Sequence, residues 1–205
     1  MLEVKCAVFG KLENNCYLIT DKATSLSALV DCTEDSEKMR AFIGDANLKY
    51  ILLTHGHYDH IGGVKGIKAL TGAKAVISKE DEPMLSSSRA SLAAFSFSAQ
   101  NNTEADLIIS DGDKITLGET EITVLATKGH TKGGVCYIAD DCIFTGDTLF
   151  FCSCGRTDLP GGSDREILES LKKLASIKGD YKIYAGHDRA STLDFERRNN
   201  PYMNR

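Results

Sequence analysis

The first thirty residues alternate between apolar and polar positions. "EVKCAVF", "NCYLIT" and "LSALVD" are rich in β-formers and are separated by Gly, Asn, Asp and Lys, which predicts three short strands. In "SEKMRAFIGDAN" the period changes: Met39, Phe42, Ile43 and Ala46 fall at i, i+3, i+4 and i+7, one face of a helix. "LKYILLT" is then continuously apolar, the pattern of a strand buried on both sides, and it runs directly into His55. "GGVKGIKAL" predicts a helix with Val64, Ile67 and Leu70 inward, and "KAVIS" another strand, so this part of the chain reads as a βαβ unit.

The Ser- and Ala-rich segment 83–105 has no regular period and reads as a mobile or loosely helical insertion, or else as a domain boundary. Strand patterns return in "DLIIS", "KITL", "EITVLAT", "GVCYIA" and "DCIFTGD", the last two joined by an Asp-Asp turn. "SDREILESLKKLASI" predicts a helix opened by a capping box of Ser163 and Glu166, with Ile167, Leu168, Leu171, Leu174 and Ile177 on one stripe. "YKIYAGH" is a late strand, and "STLDFERR" a closing helix with Ser191 at its N-cap. Many strands interspersed with single helices place the chain in the α/β (α+β) class, as layered sheets flanked by helices. At 205 residues, one domain over 1–205 is the expectation.

Composition narrows the function. A net charge of -5 with no local Lys/Arg cluster argues against nucleic acid as a partner. No run of about 18 apolar residues supports a membrane span, and the polar, alternating start is unlike a signal peptide, so the cytoplasm is the expected address. The seven cysteines are odd in number and lack CxxC spacing, which fits reduced thiols; "CSC" at 152–154 reads as two small residues of a turn region or, alternatively, a redox or metal element.

The chemistry concentrates in "LTHGHYDHIGG", which holds three of the five histidines. His55 and His57, two apart beyond a strand, can grip one cation, while Asp59 and His60 at the following helix start turn elsewhere. Two divalent cations are implied, each needing about four to six donors, so more ligands come from distant segments. The remaining histidines, His130 in "TKGHTKGG" and His187 in "YAGHDRAS", share with Asp147 in "IFTGDTLF" the same local grammar: an apolar strand, a glycine, then a donor.

Taken in order, "THGHYDH", "KGHTKGG", "FTGDTLF" and "AGHD" resemble the metal motifs of the metallo-β-lactamase superfamily; "GDTLF" with "CGR" points to its glyoxalase II side, and the long helix after "GRTDLPGGS" with the tail "STLDFERRNNPY" looks most like the short, single-domain glyoxalase II-like hydrolases. The resemblance implies an αββα sandwich in which His55, His57 and His130 hold a first metal, Asp59, His60 and His187 a second, and Asp147 bridges them. Zinc is the first expectation for both ions, with iron or manganese as alternatives. It implies hydrolysis of a small-molecule thioester of the S-lactoylglutathione kind by a hydroxide shared between the two ions, with Asp59 orienting the hydroxide and shuttling its proton. Arg156 in "CGRTDLPGG" is a substrate-contact candidate by the same resemblance. On the residues alone it is equally an ion-pair partner of Asp158.

Lysines in "TKGHTKGG", and "VDCT" where many relatives show Asp-Pro-Gly, depart from the pattern in turn rigidity rather than in ligands. Two other functions remain open: a persulfide dioxygenase using a single iron, and a non-catalytic metal-binding or redox-sensing module built on the cysteines.

Overall fold

The computed structural model describes residues 1–96, 98–100 and 102–203. One sheet is built from β1 (Leu2–Phe9), β2 (Asn14–Asp21), β3 (Leu26–Val30), β4 (Asn47–Leu52), β5 (Lys74–Ser78) and β6 (Leu107–Ile109), paired in that order. The first two junctions are antiparallel hairpins, and the next three are parallel, crossed by helices between β3, β4 and β5 and by a long run of turns between β5 and β6. Helix α1 (Glu37–Ile43) links β3 to β4, and the short α2 (Tyr58–Ile61) with α3 (Val64–Thr71) links β4 to β5. The second sheet runs in the spatial order β14 (Ser191–Thr192), β13 (Lys182–Ala185), β10 (Cys142–Gly146), β9 (Val135–Ala139), β8 (Thr120–Ala126), β7 (Lys114–Leu117). A small hairpin, β11 (Leu149–Phe150) and β12 (Ser153–Cys154), leads to α4 (Asp164–Ala175), and α5 (Leu193–Asn199) follows β14.

Period-two side-chain alternation turns these sheets into four layers. In β2, Cys16 and Leu18 join the cluster containing Met39, Ile43, Val64 and Ile67 from α1 and α3, whereas Tyr17 and Ile19 face the other sheet. Along β4, Leu48 and Ile51 go to the helix side and Leu52 to the middle, which is why this strand reads as an unbroken apolar run. β10 does the same in the second sheet: Phe144 enters the middle layer, and Ile143 packs with Leu171, Leu174 and Leu193 of α4 and α5. The expected αββα arrangement is therefore present, with a core under each helical layer and one between the sheets.

Several details differ from the sequence expectation. Leu70 is 56% exposed: α3 covers the sheet with Val64 and Ile67, and Leu70, six residues after Val64, lies about 120° from it around the helix, off the buried face. α1 stops at Gly44 (φ +56), so Ala46 packs on the same cluster from outside the helix. At α4, Ser163 Oγ accepts from Glu166 N, but the Ser163 amide donates to the Gly129 carbonyl (2.8 Å) rather than to the Glu166 side chain. The capping box is thus half formed, its free donor spent on fastening the helix to the loop that carries His130. The cap of α5 is Thr192, one residue later than expected: its hydroxyl accepts from the Phe195 amide, while the Ser191 hydroxyl donates to the Glu196 carboxylate.

Among the described residues of 83–105, a 3-10 turn at Glu82–Leu85 opens a chain of turns in place of a regular helix, pinned by Leu85, Ser91 and Ala93, all buried; residues 97 and 101 lie outside the described set. No helix among the described residues is long and apolar enough to cross a membrane.

The layer assignment predicts sharply different costs for two leucines. Leu171→Ala, at a fully buried position between α4 and the second sheet, is expected to destabilise by about 2–5 kcal/mol in urea unfolding, whereas Leu70→Ser should stay within about 0.5 kcal/mol of the wild type.

Candidate metal centre

The predicted donors meet at one end of the sandwich, where β4 and β10 finish side by side. Tyr137 Oη donates to the Leu53 carbonyl (2.8 Å) and the Val135 amide to the Thr54 carbonyl (2.9 Å), stitching the sheets together immediately before His55. Gly146, at φ +47, turns the chain after β10 and leaves no room for a Cβ against the Thr54 side chain; Asp147 follows it. Gly186 has ordinary dihedrals, and its constraint is proximity, since a Cβ would stand 2.4 Å from Asp147 Oδ1 and 2.8 Å from His60 Cε1.

All seven predicted donors are brought together. Three groups have donor atoms within 4.8 Å of one another: His55, His57 and His130; His55, His60 and Asp147; Asp59, His60 and His187. Asp147 stands between the outer two, with Oδ1 3.4 Å from His60 Nε2 and Oδ2 3.5 Å from His130 Nε2 and 3.6 Å from His187 Nε2.

Ring orientations are set from behind. His60 Nδ1 donates to Asp31 Oδ2 (2.8 Å), His130 Nδ1 to the Arg156 carbonyl (2.8 Å) and His187 Nδ1 to the Leu12 carbonyl (2.9 Å). Carbonyls and carboxylates only accept, so in these rings, when neutral, the proton sits on Nδ1 and the Nε2 lone pair faces the centre. His55 follows the same rule through Thr54, whose hydroxyl gives its own proton to Asp31 and accepts from His55 Nδ1 (3.2 Å). His57 is turned the other way, with Nδ1 2.9 Å from His130 Nε2.

The electrostatics fit cations. Burial and the neighbouring imidazoles push His55 well below the ordinary imidazole range and His57 down to about 3. For His60 burial acts downward, but Asp147, Asp31 and Asp59 together outweigh it and hold the ring well above its usual value. Burial opposes ionisation of Asp59 and Asp147 too, and is outweighed by His60 and His187, so both carboxyls lie below the ordinary range. The buried His55 Nε2, His57 Nε2 and Asp147 Oδ1 have no hydrogen-bond partner. Converging lone pairs and carboxylate oxygens cannot satisfy one another. Divalent cations would satisfy them, and imidazole with carboxylate is a donor set that zinc and iron accept.

Three residues that sequence reasoning did not single out support the site. Asp31, held at φ +58, accepts from the Thr54 amide, the Thr54 hydroxyl and His60. Asp81 joins the two loops of the first group, accepting from the Gly56 amide (3.1 Å), the Thr131 hydroxyl (2.7 Å) and the Gly133 amide (2.8 Å). Asn14, at the start of β2, sits against the second group. Only Asp31 carried any signal, as the acidic residue ending a strand in "VDCT". Arg156 is at the cleft by its side chain and at the centre by its carbonyl; its guanidinium makes a bidentate pair with Asp158, both contacts 2.7 Å.

The model of the metallo-β-lactamase superfamily matches residues 9–187, and the chain belongs to that superfamily. A hydroxyacylglutathione hydrolase of Bradyrhizobium sp. is 36% identical over 193 residues, covering 92% of this chain and 68% of its own. Among solved structures, BLEG-1, a B3 metallo-β-lactamase, aligns with a TM-score of 0.92 at 25% identity over 99% of both chains. TTHA1623, solved in a di-iron-bound form, aligns with a TM-score of 0.85 at 30% identity over 97% of this chain and 100% of its own.

If the converging donors take up cations in the folded state only, adding zinc to chelator-stripped protein should raise its melting temperature in a concentration-dependent way, with a gain in unfolding free energy of about 2.7 kcal/mol per site at a hundredfold excess over Kd. His130→Ala should remove part of that gain; a melting temperature indifferent to zinc in the wild type would refute metal binding here.

Proposed function

We propose that this member of the superfamily is a thioester hydrolase working with two divalent cations, zinc first: one on His55, His57 and His130, one on Asp59, His60 and His187, with Asp147 between. The observation that carries this reading is the reach of Asp147, whose two oxygens lie within 3.4–3.6 Å of donors from both outer groups. A carboxylate so placed suits a pair of ions rather than one. When bound, such a pair supplies a water that is nucleophilic near neutral pH and an electrostatic hold on a carbonyl oxygen.

The chain's own residues supply the rest. Asp59 lines the cleft and is held ionised, so it can orient the attacking water and accept its proton. The cleft above the centre, about 540 Å³, has mostly apolar walls from Leu12, Leu92, Phe95, Phe150 and Leu159. That volume accommodates a small acyl thioester, and the walls keep bulk water from the carbonyl. A thiolate departs without strong acid assistance, which matches a floor whose ionisable groups are committed as donors. Arg156 contributes a cation on the wall, shared with Asp158, for the anionic part of a substrate of the S-lactoylglutathione kind, as the similarity to a hydroxyacylglutathione hydrolase supports.

The redox-module alternative fits less well. The seven cysteines form no disulfide with one another, and burial pushes Cys16 up to about 11 and Cys136 to about 12, which leaves those two protonated and unreactive at neutral pH.

The test is turnover of acyl thioesters by the metal-loaded protein, with elemental analysis of the same sample. Hydrolysis should vanish with chelator and return with zinc, and Asp147→Ala should lower kcat about a hundredfold or more. One iron per chain together with oxygen uptake and no hydrolysis would instead establish the dioxygenase. For Arg156→Ala, KM for an anionic thioester is expected to rise several-fold with kcat nearly kept; an unchanged KM returns Arg156 to a surface ion pair.

A further inference from the structure

Asn14 is fully buried, and its carboxamide is packed against the second group of donors. Its Nδ2 lies 3.1 Å from Asp59 Oδ2, 3.0 Å from His60 Nε2 and 3.4 Å from His187 Nε2. These are the three atoms that would hold the second cation. Its own Oδ1 is buried without a hydrogen-bond partner. An amide so deeply desolvated, with one polar atom unsatisfied, costs stability on its own account and calls for an explanation in the site it touches.

The position of Asn14 is not adjustable. The amide of the next residue, Asn15, donates to the Gly186 carbonyl (2.7 Å), and its side chain donates to the carbonyls of Ala185 (3.0 Å) and Asp188 (2.7 Å). Tyr17 Oη donates to the Ala185 carbonyl as well (2.6 Å). The start of β2 is thereby fastened on both sides of His187, and Asn14 is presented to Asp59, His60 and His187 as a rigid part of the same assembly. The first group, His55, His57 and His130, has no comparable amide contact among the hydrogen bonds described.

Of the three atoms facing Nδ2, only the Asp59 carboxylate retains a second lone pair once each atom has given one to a cation. An N–H from Asn14 to Asp59 Oδ2 is therefore compatible with a bound ion, and it fixes the direction in which Asp59 presents its oxygen. Resting on the two-ion reading above, we propose that Asn14 is a positioning residue of the second centre: its Nδ2–H holds Asp59 in ligating orientation and so sets whether that centre fills. Asn14 separates the two halves of the metal site in affinity, because it braces one of them alone.

Cobalt(II) titration of the chelator-stripped protein, followed by absorption and by elemental analysis, reads this without any assay of turnover. The wild type should take up two ions per chain. Asn14→Ala should bind the first as before and the second about 10–100-fold more weakly, the usual cost of losing a residue that orients a ligand. Asn14→Asp, which cannot donate to Asp59, should lose the second ion as the alanine variant does, and thermal unfolding of the stripped proteins controls for folding. Two ions at wild-type affinity in Asn14→Ala would overturn the proposal, as would tighter second binding in Asn14→Asp, which would mean that an oxygen faces the cation. A wild type that takes up one ion only removes the two-ion reading and this inference together, whereas a normal second ion in the variants removes this inference alone.

Discussion

Three carboxylates and five imidazoles cannot be gathered in a nearly dry space unless each has a stated direction in which to spend its lone pairs. That constraint governs this end of the molecule. Asp31 is the clearest case: in a left-handed backbone conformation, it spends both oxygens on Thr54 and His60. Through Thr54 it also determines which way His55 faces. A strained residue at the end of β3 is thus the fixed point from which two rings on two different sides of the centre take their bearings, and the local cost of its geometry, of order 1–3 kcal/mol, is offset by three buried hydrogen bonds.

The sandwich architecture follows from the same need. A bundle could bring donors from adjacent turns, but here they come from the ends of β4 and β10, from the turn after β8 and from the turn after β13, in both sheets. Parallel pairing of β10 with β13, and of β3 with β4, puts the C-terminal ends of those strands at one edge, where the segments that follow β4, β8, β10 and β13 deliver the donors. The half-formed cap of α4 belongs to this scheme. Its Ser163 amide and Ser170 hydroxyl hold the carbonyls of Gly129 and Lys128, so the helix that closes the outer layer also anchors the His130 turn.

Most strands and the seven donors were legible in the sequence because each leaves a local trace: alternation, a run of apolar residues, or a strand ending in glycine and a donor; the four-layer order came with the resemblance to the superfamily. What lay beyond reach has no local trace. Asp81 sits in "KEDEP", one acid among several, and its value arises only when the turns holding Gly56 and Gly133 close around it. Asn14 and Asn15 look like turn residues between two strands, yet both side chains are spent on contacts more than forty residues away. Leu70 misled for a different reason, since an i, i+3, i+6 spacing drifts around the helix and its third member leaves the buried face that Val64 and Ile67 define.

The supports of the two outer groups differ in a way that bears on how the site tolerates change. His130 and His187 are oriented by main-chain carbonyls, of Arg156 and Leu12, which survive almost any substitution at those positions. His60, His55 and Asp59 are oriented by side chains, of Asp31, Thr54 and Asn14, which do not. Variation at Arg156 and Leu12 can therefore reshape the cleft wall while leaving ring orientation intact, and both residues line that wall. The positions at which substrate preference can drift are separated from those at which ligand geometry is fixed, although the same loops supply both.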